Sequence, residues 1–399
     1  MKNFNTILKL PLVLVAFLFS CESQDETPGP LKTPHASSGQ PTHTITTGMT
    51  FTQINTVLAS TTSGDIVEVE PGTYTITGKL TMNDGITLRN QSSTLPVFEA
   101  TSSSPGELLN MFYSSGINNC TIQGIIFHNI RYRMSGQNYV SFDNCTFDYG
   151  IRKAGTDKKY LADAYLEFVQ GCTQPSVTNC TFSRRSGNSG RGIYNKKSVN
   201  AQFTSNVFGN GGTTGYFVTA INDNGNGSTI SNNTMNRVVS WVDSNETDHG
   251  IYAHSFDGLT ITGNTISGWP KNASGGAVKA RNGKDLTITN NTMNTSGVLL
   301  YVYDNETHPF LQNVVVSNNT INVSSGGNNI YSGIGYWRNT EEGSELSILI
   351  QDNTLPNGTI KASFNMLVTE DFNEEGGGVF NNDIAEIYLK SGINNSGNF

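Results

Sequence analysis

The sequence predicts an all-β solenoid, a single-stranded parallel β-helix, on three observations. A short apolar strand followed by Asn-Thr-apolar, or a close variant, recurs about ten times along the chain. The copies stand 25 to 35 residues apart, the range in which each repeat is one unit stacked on the next. Within each copy β-branched strands and Gly, Asn and Ser turns dominate, and no long helical period competes with them.

The chain begins outside that repeat. Residues 1–20 carry Lys2 and Lys9 and an apolar run from Leu8 to Phe19, which reads as a secretory signal too short to span a membrane comfortably. It ends in Leu18-Phe19-Ser20-Cys21, which resembles a bacterial lipoprotein box. That resemblance implies that Cys21 is lipidated and that the protein is an outer-membrane lipoprotein of a bacterial cell envelope, facing the periplasm or the cell surface. It would touch the membrane through its lipid alone. Residues 21–44 are polar and hold Pro28, Pro30, Pro34 and Pro41, as expected of a flexible tether. Residues 45–399 are then one β-helix domain, expected to act as a monomer.

Within that domain Phe51, Ile54, Val57 and Leu58 fall on one face of a helix. Gly64-Asp65-Ile66-Val67-Glu68-Val69 and Pro71-Gly72-Thr73-Tyr74 follow it. This order resembles the N-terminal helical cap of secreted right-handed β-helix polysaccharide enzymes. A cap is expected because an open coil end exposes both core and strand edge. The repeat then runs through Cys120, Cys145, Cys180, Asn206, Asn233, Asn264, Asn291, Asn319, Asn353 and Asn382 as the second residue of each marker. These residues are expected to stack in one column, the three thiols at its N-terminal end, with Asn bonding the turn and tolerating a left-handed backbone. Leu259-Thr260-Ile261-Thr262 and Leu286-Thr287-Ile288-Thr289 alternate apolar and polar, so Leu and Ile point inward. Gly376-Gly377-Gly378 and the Asn-rich last residues suggest an irregular finish.

Composition narrows function. With 24 Lys and Arg against 32 Asp and Glu, the formal charge of −8 argues against nucleic acid. It leaves room for an anionic polysaccharide held by a few placed cations. No Cys-x-x-Cys or matching His spacing suggests zinc, and no cofactor or metal is expected. Asp243, Glu246 and Asp248 leave calcium open, or form a solvated turn.

Counting back twelve residues from Asn206, Asn264 and Asn291 gives Tyr194, Tyr252 and Lys279, in strings that agree around them. Ile193, Ile251 and Val278 then point inward. Two outward columns result: Tyr194, Tyr252 and Lys279 in one; Lys196, His254 and Arg281 in the other. Tyr301 and Tyr303 extend them in the next coil, and Asn222 fills the coil between Tyr194 and Tyr252. Arg131, Arg133 and Glu167 fall upstream on the same face. His249 enters it from the preceding loop.

This set suits β-elimination on a uronic acid polymer. The sugar carboxylate must be neutralised, which Arg281, His254 or Asn222 can do. A base must remove the C5 proton, and Lys279, Tyr252 or a His such as His249 can serve. The leaving O4 needs a proton, for which Tyr252 is the natural donor. Tyr194, Lys196, Asn222, Tyr301 and Tyr303 would bind neighbouring sugars. Hydrolysis needs two carboxylates across the bond, and the columns hold none between Tyr194 and Arg281.

The cap, the Asn ladder and the Lys279/Arg281 strand resemble right-handed β-helix polysaccharide lyases, especially alginate lyases and chondroitinase-B-like lyases. The resemblance spans roughly residues 45–390. Chondroitinase-B-like lyases pair a Lys base and an Arg acid with calcium-binding carboxylates. Here no such acidic cluster flanks the strand, and Tyr252 beside Lys279 looks like the Tyr/Lys pair of a metal-independent alginate lyase. The resemblance therefore implies a polysaccharide lyase, with alginate as substrate. Two other readings stand beside it: a mannuronan C5-epimerase-like enzyme, and a non-catalytic surface glycan-binding β-helix.

Overall fold

The computed structural model describes residues 39–100, 109–110, 117–148, 164–183, 187–209, 215–237, 249–269, 276–303, 309–323, 332–339, 345–364 and 366–399. Cys21, the signal segment and most of the tether lie outside the described residues, as do Asp243, Glu246 and Asp248.

Among the described residues the strand pairings are parallel throughout. The chain is a parallel β-helix, as its repeat requires. One row runs Ile126–His128, Thr146–Asp148, Thr181–Phe182, Val207–Phe208 and Thr234–Asn236. The row that carries the candidate site runs Ile130–Ser135, Ala164–Val169, Gly187–Val199, Gly215–Ser231, His249–Thr262, Gly276–Thr289, Val298–Val302 and Gly333–Arg338. Leu259 and Ile261 are buried between half-exposed threonines, and Leu286 and Ile288 repeat the pattern one coil on. Stacked Phe147, Phe182 and Phe208, with centroids 5.0 and 4.7 Å apart, fill the cylinder near its N-terminal half. The alternation puts one apolar stripe inside every coil, and the coils together build one continuous core.

The Asn column exists and is continuous. Asn264 shows its chemistry. Its Oδ1 accepts from the Asn233 backbone N at 3.0 Å and Nδ2 at 2.9 Å. Its Nδ2 donates to the Ile230 carbonyl and to Asn291 Oδ1, both at 2.9 Å. The same pattern runs through Asn206, Asn233, Asn291, Asn319, Asn353 and Asn382 to Asn398. Cys180 begins it, donating its backbone N to Asn206 Oδ1 at 2.9 Å, and Cys145 N points at Cys180 Sγ.

Three expectations need correction. Cys120 is not in this column. Thr121 pairs with Ser141, and Ile126 with Thr146, so Ile125 takes the position below Cys145. The first spacing matched two different corners, because an Asn-Cys-Thr string serves both. The left-handed residue is also not the column Asn but the one before it: Asn144, Asn179, Ser205, Asn232, Asn290, Asn318 and Asn381 all have φ between 52° and 57°. Asn and Ser accept that region because their short polar side chains bond locally. The C-terminal end, finally, is regular. Gly378–Phe380, Asp383–Leu389 and Asn395–Ser396 continue the coils. Gly377 is needed there because a Cβ would lie 2.0 Å from the Phe372 carbonyl oxygen.

Near the N-terminus the expected helix spans Phe51–Ala59. Thr50 starts it with a capping box: Gln53 N donates to the Thr50 hydroxyl and Gln53 Oε1 accepts from Thr50 N at 2.8 Å. Ile54 and Leu58 are fully buried in the common core, and the helix packs on the strands His43–Ile45 and Thr73–Ile76.

Asn264→Ala strands several buried donors and acceptors at once, so chemical denaturation should show a loss of about 3 kcal/mol. Asn322→Ala removes an exposed amide that bonds only Asn294 Oδ1 at 3.0 Å, and should stay within about 0.5 kcal/mol of the parent. Equal effects would mean that the column adds no stability.

Candidate active site

Alternation decides which side chains leave the core. Ile251 and Ala253 point in, so Tyr252 and His254 point out; Val278 and Ala280 do the same for Lys279 and Arg281. Parallel register then carries the sequence of each coil onto the next. Glu167, Tyr194, Asn222, Tyr252 and Lys279 are successive partners in one line. His254 pairs with Arg281, Arg281 with Tyr301, and Tyr301 with Trp337. Lys196 stands opposite Asn224. A third line, Arg191, Thr219 and His249, runs beside them. Gly250 makes that possible: a Cβ there would meet Ile266 Cγ2 at 2.5 Å and the Ala277 carbonyl oxygen at 2.8 Å, so the chain closes in tightly beside His249.

The register corrects one placement. Lys279 lies opposite Leu299, and Tyr301 extends the Arg281 line instead. The aromatic rings still reach both cations. Lys279 Nζ is 4.4 Å from the Tyr301 ring centre, and Arg281 Cζ is 4.3 Å from that of Tyr303. Tyr301 in turn stacks on Trp337 at 4.6 Å and 7°, a contact the sequence does not announce because loops of unequal length hide its offset.

Tyr252 is the centre of the set. Arg281 Nη1 donates to its hydroxyl oxygen at 3.1 Å. The rings of His249 and His254 lie 5.2 and 5.3 Å away, and Lys279 Nζ is 5.8 Å from the Tyr252 ring centre. Asn222 is buried, and its Nδ2 donates to the Tyr252 carbonyl at 2.8 Å, pinning this strand to the previous coil. Asn224, which the sequence pattern did not single out, places its amide nitrogen 3.2 Å from His254 Nδ1.

Burial, then the Arg281 charge, brings the Lys279 ammonium down to about 8. Burial, then the Lys279 charge, holds the His249 imidazole well below its usual range, so it is neutral near pH 7. Its Nδ1 is buried and has no hydrogen-bond partner among the described residues. Beneath the face, Asp223 is fully buried and its carboxyl is raised by that burial; Asn195 Nδ2 donates to it at 2.6 Å and Gly225 N at 3.2 Å. It points into the core and belongs to the scaffold.

Upstream, Glu167 is paired with Arg133 at 3.4 Å and Arg131 at 3.9 Å. Arg191 lies over the Tyr194 ring at 4.5 Å. Arg191 was legible in principle, since it precedes Tyr194 by the same three residues as His249 precedes Tyr252. Among the described residues no group of three or more His, Cys, Asp or Glu could hold a metal ion.

Residues 47–278 match the family model described as rhamnogalacturonase A/epimerase, pectate lyase-like. No curated protein matches the chain by sequence. Solved structures share the fold at low identity. The surface adhesin PfbA of Streptococcus pneumoniae superposes with a TM-score of 0.56 at 14% identity, over 87% of this chain and 89% of that one. A family 28 exopolygalacturonase of Yersinia enterocolitica gives 0.54 at 13%, over 90% and 78%. A PL6 alginate lyase in complex with a trisaccharide gives 0.50 at 14%, over 89% and 84%.

The depressed Lys279 value carries a sign. The unfolded chain holds this proton up to about 10.4, the folded one only to about 8. Folding therefore releases a proton in that window, and stability rises with pH across it. Lys279→Met should remove this rise and stabilise the fold at neutral pH, as read by denaturation at a series of pH values. An unchanged pH dependence in Lys279→Met would place the lysine in water.

Proposed function

Because the chain belongs to the rhamnogalacturonase A/epimerase, pectate lyase-like family, a group of polysaccharide-acting β-helix proteins, we propose that it is a polysaccharide lyase. It cleaves a uronic-acid polymer, alginate before others, by β-elimination. The observation that supports this most is the Tyr252 hydroxyl oxygen held by Arg281 at 3.1 Å beside a lysine whose proton is lost near 8. Neither outward line of partners holds a carboxylate between Tyr194 and Arg281, which disfavours hydrolysis.

In this reading Arg281, with His254, donates to the sugar carboxylate and takes up charge as the enolate forms. The neutral amine of Lys279 removes the C5 proton. The electron pair of that C–H bond forms the C4–C5 double bond as the C4–O4 bond breaks. The Tyr252 hydroxyl protonates O4, and the phenolate left behind is stabilised by Arg281. His249, buried and neutral, packs beside the Tyr252 ring and adds no charge to the site. Tyr194, Lys196, Tyr301 and Tyr303 hold adjoining sugars, and Asn222 keeps the Tyr252 strand in place.

Ultraviolet absorbance of an unsaturated product, followed on a panel of uronic acid polymers, tests the reaction. Inverted sugars without absorbance would indicate an epimerase, and neither product a glycan-binding protein. Tyr252→Phe should lower kcat roughly 10²-fold or more with little change in KM. Lys279→Ala should do the same and abolish the rise of kcat/KM toward pH 8 expected of a base that must lose its proton. Arg281→Ala should weaken both KM and kcat. Near-full activity in both Tyr252→Phe and Lys279→Ala would rule out these roles.

The same reading has the enzyme anchored at the cell envelope through Cys21. Cys21→Ser should then move it from the membrane to the soluble fraction. Unchanged partitioning would count against the anchor.

A further inference from the structure

The coil that carries Arg191, Tyr194 and Lys196 repeats the layout of the coil that carries His249, Tyr252 and His254. Arg191 reaches His249 through Thr219 in one line of partners, and Tyr194 reaches Tyr252 through Asn222 in the next. The coil between them has Thr219, Asn222 and Asn224 at the matching positions, the first two buried and none of them charged. Arg191 and Lys196 thus flank one aromatic ring, and the Arg191 guanidinium lies 4.5 Å from its centre. Glu167, the strand partner of Tyr194 upstream, forms ion pairs with Arg131 and Arg133, and its charge also reaches Arg191. Among the described residues neither Arg191 nor Lys196 forms an ion pair.

We infer that Arg191, Tyr194 and Lys196 form a second carboxylate site, which binds a uronate two or three sugars away from the one being cleaved. This rests on the uronate-polymer reading of the Tyr252 site and adds its reach. Two coils separate the site from Tyr252 and three from Lys279 and Arg281, about 10 to 14 Å at the inter-strand spacing. One sugar ring cannot touch both places. An extended chain of linked pyranoses lying along the cylinder can, and it carries a carboxylate on each uronate. Arg191 suits such a ligand. Its planar fork matches a carboxylate, a guanidinium sheds water more readily than an ammonium, and stacking on Tyr194 already orders it. Binding at the second place adds to the first as an intramolecular event, so affinity should step up once the chain is long enough to span both.

The test is calorimetric titration of the Tyr252→Phe protein with oligouronates from the disaccharide to the hexasaccharide. Affinity should rise roughly 10- to 100-fold on passing from the disaccharide to chains that span the two places, the worth of one or two charge-assisted hydrogen bonds. Arg191→Gln in the same background should flatten that step. Lys196→Gln, which alters an exposed side chain and leaves folding intact, should reduce it by a smaller factor. A smooth rise with length in the parent, or a step that survives both substitutions, would overturn the second site. The two readings fail separately: a length step without unsaturated product from the unsubstituted protein sinks the lyase and spares the site. Unsaturated product without a length step does the reverse.

Discussion

Everything in this molecule depends on the parallel hydrogen-bond register between coils. A parallel ladder spaces its bonds evenly, so a residue in one coil meets the equivalent residue of the next without a shift. Chemistry written at fixed offsets in the sequence therefore becomes a line of neighbours in space. The Asn column is what holds that register at one corner. Each buried amide satisfies a backbone N–H of the coil before, a carbonyl of the coil before and its counterpart in the coil after. A slip of one residue would leave these groups unpaired in the interior, where each costs about 1–3 kcal/mol. With the register held, the outward residues of successive coils fall into line.

The register also explains how much could be read from the sequence. Where coils between marker residues have equal length, counting suffices: Tyr252 and Lys279 stand twelve residues before Asn264 and Asn291, and they are partners. Where a loop intervenes, counting no longer applies, and Tyr301 falls beside Arg281 while Lys279 meets Leu299. Trp337 was out of reach for the same reason. Cys120 was misplaced because two corners of the coil use the same Asn-Cys-Thr chemistry, and only strand pairing tells them apart. Asn224 lies on the outward alternation two residues after Asn222, opposite Lys196, whereas Arg191 belongs to a third line that two outward positions per coil do not point to.

Electrostatics give this face its character. The chain is acidic overall, yet the lines through Tyr252 and Arg281 carry Lys196, Lys279 and Arg281 and no carboxylate between Tyr194 and Arg281. Burial disfavours the charged amine and the Arg281 charge two residues away adds to that, which is why Lys279 loses its proton near 8. The rings of Tyr301 and Tyr303 offset part of the repulsion by offering their negative faces to Lys279 and Arg281. His249 takes the other outcome and stays neutral. One strand thus presents a fixed cation and an amine that can act as a base, with a phenol between histidines one coil away. In the proposed reaction the acid, the base and the charge-stabilising donor are a phenol, an amine and a guanidinium, and it is burial that brings the amine into the range of a base.

The central claim is that a uronate carboxylate sits on Arg281 with its C5 hydrogen facing Lys279 and its O4 facing residue 252. A crystal structure of the Tyr252→Phe protein soaked with an oligouronate tests this directly. The account predicts the carboxylate within hydrogen-bond reach of Arg281, C5 next to Lys279 Nζ, and the bridging oxygen beside the ring of residue 252. A saccharide bound on another face of the cylinder, or one that reaches this face with its carboxylate turned away from Arg281, would contradict it.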